Sequence, residues 1–186
     1  MGLVVIHCYK QRNYQLMYPL CADATFIQDL RQLDRELFLT TKAKGCPYCG
    51  GPLDTANYTR KTRGMAETTE LCFSLCCRTE GCRKRTTPRS LRFFGRKVYG
   101  AWVVILALDF CTELGLSGQI SRQTIGRWKA FWRERLSETS RFMRRIRGLL
   151  PLAVVVTERP ISLVVHFDLK IRDSWISILN LFCHEI

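Results

Sequence analysis

Hydrophobic positions recur along this chain with different periods, and each change of period marks a change of element. From Thr25 the spacing is helical. Phe26, Leu30, Leu33 and Leu37 return every three to four residues, which predicts a helix over 26–40. TFIQ offers a capping box, with Thr25 as N-cap and Gln28 reaching back to its amide. Lys42, Lys44 and Gly45 close the helix, as its dipole and a glycine stop favour.

Over 45–90 the long period disappears. GCPYCGGPL and RTEGC read as tight turns, and ANYTRKTRG and TTELCFSLCC as two short strands around a polar hinge at Gly64. The helical pattern returns at VYGAWVVILALDFCTELG, an apolar helix over 98–114 ended by Gly115 and Gly118. Ser121 is an N-cap for a second helix, 121–137, in which Ile125, Trp128, Trp132 and Leu136 share one face. The two tryptophans therefore pack inward. A third helix, about 139–149, stops before Pro151.

ISLVVHFDLKI, 161–171, alternates as a half-buried strand does. SWISILNLFCHEI reads as a short helix or a second strand, and LVVIHCY near the start as a short strand. The expected architecture is α+β: a small zinc-ribbon β module joined to a helical, helix-turn-helix-like domain, with a short β-rich tail. The expected divisions are 1–44 with one helix, 45–90 the ribbon, 91–150 the helical domain and 151–186 the tail.

Charge changes the picture. The net charge is +13 over 186 residues, a field that attracts polyanions, nucleic acid first. It is concentrated in two blocks. Residues 60–97 carry 11 basic and 3 acidic side chains, and 121–147 carry 9 and 2. The segment between them is apolar and slightly acidic. No run reaches the length of a membrane span, since Asp109 and Glu113 interrupt the longest. The first residues lack a secretion signal, and Ile6 stands where a myristoylation signal needs Ser or Thr. The expected location is cytoplasmic, with no membrane partner.

Ten cysteines are present. In a reducing compartment closely spaced cysteines bind metal more often than they form disulfides. Cys46-x-x-Cys49, followed by Gly50 and Gly51, makes one knuckle. Cys77 and Cys82, around the Gly81 turn, make the other. Cys76 competes with Cys77, but neighbours on a strand face opposite ways, and Cys77 lies nearer the turn. Four thiolates leave no open coordination position, so the expected Zn2+ is structural. A redox role for the first pair is disfavoured because no βαβ pattern surrounds it. Cys72 reads as a small core hydrophobe.

RKRTTPRSLRFFGRK follows the second knuckle directly. Arg83, Lys84, Arg85, Arg89, Arg92, Arg96 and Lys97 are its candidate phosphate and base contacts. The helix pair joined by LGLSGQI has the order of a helix-turn-helix. Arg122, Gln123, Thr124 and Arg127 would be its reading residues.

Across about 40–147, CPYCGGPL, LCCRTEGCRKRTTPRSLRFFGRKVYG and LSGQISRQTIGRWKAFW resemble the zinc-ribbon plus helix-turn-helix region of bacterial insertion-sequence transposases and their associated small proteins. The resemblance implies recognition of element DNA, with Cys46, Cys49, Cys77 and Cys82 as zinc ligands and a partner transposase. It stops short of the nuclease. Transposases of this kind use three carboxylates on an RNase-H-like sheet to hold two metal ions. Here only Glu158, Asp168, Asp173 and Glu185 follow residue 147. Asp168 lies on a strand-like run, but the 18 residues after it do not supply such a fold. The expectation is a non-enzymatic, zinc-dependent protein that binds duplex DNA. The alternatives are a component that binds RNA, which basic zinc ribbons also serve, and a transposase cut short.

Overall fold

The computed structural model describes residues 24–63, 69–95, 97–110, 120–138 and 172–183. The architecture mixes helix and sheet. In chain order its elements are α1 (Ala24–Lys44), β1 (Leu53–Thr55), β2 (Tyr58–Lys61), β3 (Thr69–Cys72), β4 (Leu75–Cys77), β5 (Arg85–Thr86), α2 (Ala101–Phe110), α3 (Arg122–Glu138) and α4 (Arg172–Cys183). The chain divides into two compact units. One spans Ala24–Ala101, and the other carries α2 from Trp102 onward with α3 and α4.

Helix α1 is longer than its apolar period suggests. Ala24 is already helical, so Thr25 lies inside the first turn and is not the N-cap. The C-terminal stop is as expected: Gly45 has φ +78° and its amide donates to the Lys42 carbonyl at 3.2 Å. The buried face is Phe26, Ile27, Leu30, Asp34 and Phe38, with Leu33 and Leu37 only half-buried. Phe38 joins α1 to the cysteine-bearing turns and strands of the same unit. Phe38 packs in one core cluster with Cys46, Leu53, Leu75 and Cys77. Its ring also lies 5.2 Å from that of Phe73.

The stretch expected as one strand, 68–77, is two. β3 pairs with β2, and β4 sits between β1 and β5 in a separate three-stranded sheet, all antiparallel. The corner is at Ser74. Its amide donates to the Asn57 side-chain oxygen at 3.0 Å, and its carbonyl accepts from the Ala56 amide at 2.8 Å. Backbone groups freed by leaving one ladder are satisfied there before the next begins. In the β1–β4 ladder Leu53 faces Cys77 and Thr55 faces Leu75. Leu53, Leu75 and Cys77 turn into the core while Asp54 and Cys76 point away, and a slip of one residue would reverse that.

Helix α2 begins at Ala101, three residues later than its apolar run. Val98, Tyr99 and Gly100 are taken by the other unit. The Arg63 amide donates to the Val98 carbonyl at 3.0 Å, and isolated bridges join Arg63 to Tyr99 and Phe93 to Gly100. Ala101, Trp102, Val103, Val104, Ile105 and Ala107 are all buried. Helix α3 has the expected cap: the Thr124 amide donates to Ser121 Oγ at 3.2 Å. Trp128 and Trp132 are buried, and Trp132 meets Phe182 of α4 edge-on at 5.0 Å. Of the two readings of SWISILNLFCHEI, the helix is observed. Trp175, Ile178, Leu179 and Phe182 form its buried stripe. The third helix at 139–149, the strand at 161–171, the strand at LVVIHCY, the Gly64 hinge and all but Ile120 of the LGLSGQI turn lie outside the described residues. Among the described residues no helix is long and apolar enough to cross a membrane.

Candidate metal centre

Two turns bring four cysteines together. In the first, the Cys46 amide donates to the Gly51 carbonyl at 2.8 Å and the Gly50 amide to the Cys46 carbonyl at 2.8 Å. This closes a loop with both sulfurs on one side. In the second, the Cys82 amide donates to the Thr79 carbonyl at 3.1 Å and the Cys77 amide to the Lys84 carbonyl at 3.0 Å. The loops abut through Gly51, where a Cβ would lie 2.0 Å from Thr79 Oγ1. A side chain at 51 would have to displace the Thr79 hydroxyl.

The four Sγ atoms lie within 4.8 Å of one another. Cys46 Sγ is 3.7 Å from Cys82 Sγ, and Cys49 Sγ is 3.5 Å from Cys77 Sγ. Both of these contacts run between the knuckles. Four sulfurs at about 2.3 Å from a central ion in tetrahedral array stand about 3.8 Å apart. The cluster has that size and could hold a metal ion. Cys76 does not join it. Its thiol faces the carbonyls of Cys77 and Arg83 at 3.8 and 3.6 Å, on the other side of β4. Cys72 is buried, as expected of a core thiol, and burial pushes it up from the usual thiol range.

The two knuckles treat their second cysteines alike. An amide two residues on is directed at each sulfur, Gly51 for Cys49 and Lys84 for Cys82. At Cys49 the Gly51 amide, helped by the Cys77 and Cys82 thiols, lowers the thiol below its ordinary range. At Cys82 the Lys84 amide also favours the thiolate. Desolvation and the three neighbouring thiols outweigh it and push Cys82 up to about 12. Four adjacent sulfurs cannot all be anionic without a cation among them.

The candidate contacts of the basic segment separate into different environments. Arg83, Lys84, Arg85 and Arg89 are exposed, and Lys97 is half-buried. Arg83 has φ +44°, a left-handed residue that ends the second knuckle. Lys84 Nζ lies 4.4 Å over the ring of Tyr48, an exposed tyrosine of the first knuckle. Arg92 is a correction. Its side chain is 2% exposed, too little to reach a phosphate. It donates through Nε to Asp34 at 2.8 Å, through Nη1 to Glu70 at 2.5 Å and through Nη2 to the Leu71 carbonyl at 2.9 Å. Asp34 also accepts from the Leu91 amide and Ser90 Oγ, both at 2.6 Å, and Glu70 from Arg31. Burial pushes the Asp34 carboxyl above the usual range, against the pull of Arg92.

This buried network ties α1, β3 and the 90–93 segment together. Sequence reasoning missed it, although a signal was there. Asp34 falls on the apolar face of α1 one turn after Leu30, and Arg92 is enclosed in SLRFF. Arg96 lies outside the described residues. At the start of α3, Arg122, Gln123 and Arg127 are exposed and Thr124 is half-buried, its hydroxyl 2.9 Å from that of Ser121. Arg122, Gln123 and Arg127 thus lie on the solvent side of that helix end, with Thr124 at its edge.

No family model matches the chain, and comparisons with curated proteins and with solved structures found no match either.

Proposed function

We propose that this chain is a zinc-stabilised protein that binds duplex DNA. The observation that carries the reading is the four-cysteine cluster, with the exposed run Arg83-Lys84-Arg85 following its last ligand without a spacer. Zinc is the favoured ion because a closed set of four thiolates suits a soft-to-borderline cation with no need of an open position. Cys46, Cys49, Cys77 and Cys82 would hold it. Its chemistry there is structural: it neutralises the thiolates and locks the two knuckles.

Charge supports the nucleic-acid part. In the Ala24–Ala101 unit Asp34 and Glu70 are withdrawn into the interior, and Asp54 is engaged by Arg78. The exposed side chains Lys42, Lys44, Lys61, Arg63, Arg83, Lys84, Arg85 and Arg89 face solvent with few carboxylates among them. Such a surface releases counterions from a phosphate backbone. The capped start of α3, with Arg122, Gln123, Thr124 and Arg127, is the element proposed to read sequence. The resemblance of 40–147 to transposase zinc-ribbon regions suggests element DNA as the natural target, with a partner transposase supplying any strand chemistry.

The test is binding of the zinc-loaded protein to labelled duplex DNA and to RNA of matched length at two salt concentrations. On a duplex, log affinity should fall against log salt by about 0.9 per phosphate contacted. The Arg83→Ala, Arg85→Ala double variant should flatten that slope by about 2 and weaken all sequences alike. A preference for RNA, or binding insensitive to salt, would discard the reading.

A further inference from the structure

We infer that the outer face of the β2–β3 ribbon is a further DNA-contacting surface, one that fits the major groove of a duplex; the inference rests on the DNA-binding reading above. The register sets the face. Thr59 lies opposite Leu71 and Lys61 opposite Thr69, so these four side chains point to one side by strand alternation, and Arg63, just beyond the strand, lines the same hollow as Lys61 and Thr69. All five are exposed. The alternate positions turn the other way. Glu70 and Cys72 are buried, and Tyr58 and Arg60 are half-buried. Among the described residues the outer face therefore carries two cations, two hydroxyls and one half-exposed leucine, and no carboxylate.

The inner face makes this ribbon a firm platform, although two short strands alone would be marginal. Arg60 donates to the carbonyls of Gly95 and Lys97 at 3.1 and 2.9 Å. Its guanidinium lies 5.5 Å from the Tyr58 ring centroid and 5.3 Å from that of Phe93. Glu70, directly opposite Arg60, is gripped by Arg31 and Arg92. The carboxylate that would repel phosphate from the ribbon is thus turned inward and neutralised.

Shape and chemistry select duplex DNA as the occupant. Two strands about 4.8 Å apart with their side chains match a groove about 12 Å wide. An arginine and a lysine suit guanine O6 and N7, threonines suit either partner of a base pair, and a leucine side chain suits the thymine methyl. At the end of the ribbon Lys61, Thr62, Arg63, Thr69 and Val98 line an open hollow of about 480 Å³. It is wide enough for a phosphate beside the two cations.

The experiment compares full-length wild type, Lys61→Ala with Arg63→Ala, and Arg83→Ala with Arg85→Ala on one mixed-sequence duplex across a salt series. Duplex methylated at guanine N7 serves as the groove probe. Melting temperature and metal content check that each variant is folded. If the alanine pair fails that check, Lys61→Gln with Arg63→Gln takes its place. The expected result is a salt slope reduced by about 2 when both cations contact phosphate, and by less when they contact bases. N7 methylation should weaken the wild type and lose its effect in the ribbon variant. If the ribbon variant matches wild type while the Arg83, Arg85 variant is weakened, the ribbon assignment is overturned and DNA binding stands. Weakening without any N7 effect overturns the groove placement. A wild type that ignores duplex at low salt, or takes only matched RNA, overturns both.

Discussion

Arg92 Nε donates to Asp34 at 2.8 Å, with the two side chains 2% and 1% exposed. The same guanidinium donates to Glu70. One cation thereby holds a helix and a strand against each other from a segment that reads, in sequence, as part of a solvent-facing basic run. Taking charges out of water costs several kcal/mol per ion, recovered only when each has partners. Here each does.

Removing the arginine should therefore act on stability. Arg92→Met leaves Asp34 buried without its cation, and Glu70 with Arg31 alone, and should cost about 3–5 kcal/mol in urea unfolding at fixed metal concentration. Replacing all three charged groups with apolar side chains of similar volume should recover much of that loss. An Arg92→Met protein as stable as wild type, but weaker on DNA, would return Arg92 to the binding surface.

The thiol assignment separates two neighbours. If the proposed zinc occupies the cluster, Cys49→Ser should release it and unfold the two knuckles, because a structural zinc supplies about 10–16 kcal/mol to a small module. Cys76→Ser should keep a full equivalent of metal, since its thiol faces carbonyls on the far side of β4. Metal analysis after gel filtration reads both. Full retention in the first variant, or loss in the second, reverses the ligand choice.

Asp54 gives a pH dependence of known sign. The Arg78 guanidinium donates from Nε to both carboxylate oxygens, at 3.1 and 3.0 Å, and holds the Asp54 carboxyl below the usual range. A carboxyl depressed in the folded state adds stability above its unfolded pKa and loses it as pH falls through the folded value. Asp54→Asn should thus melt slightly below wild type at neutral pH. The gap should close below the ordinary carboxylate range. The effect is small, because the pair is exposed and screened. A gap that stays constant down to low pH would show that the ion pair is not its source.

At α3 the exposed Gln123 distinguishes reading from anchoring. Gln123→Ala should shift the preferred sequence in a site-selection experiment and change average duplex affinity little, whereas Arg122→Ala and Arg127→Ala should lower affinity more broadly. Unchanged preference in the Gln123 variant would remove α3 from the reading role.

Local chemistry alone determined much of this protein. The Cys-x-x-Cys turn with its glycines, the Gly45 stop, the Ser121 cap and the inward tryptophans of α3 are fixed by residues within a turn or two of each other. Strand alternation left one ligand among Cys76 and Cys77, and nearness to the turn chose Cys77. Tertiary structure decided what depends on distant partners. The splitting of 68–77 at Ser74 follows from Asn57 and Ala56, and the late start of α2 from Arg63 and Phe93. The gathering of the four sulfurs needs both turns in place. Whether an arginine meets water or a carboxylate is set by residues 58 and 22 positions away, at Asp34 and Glu70, a separation that no local pattern encodes.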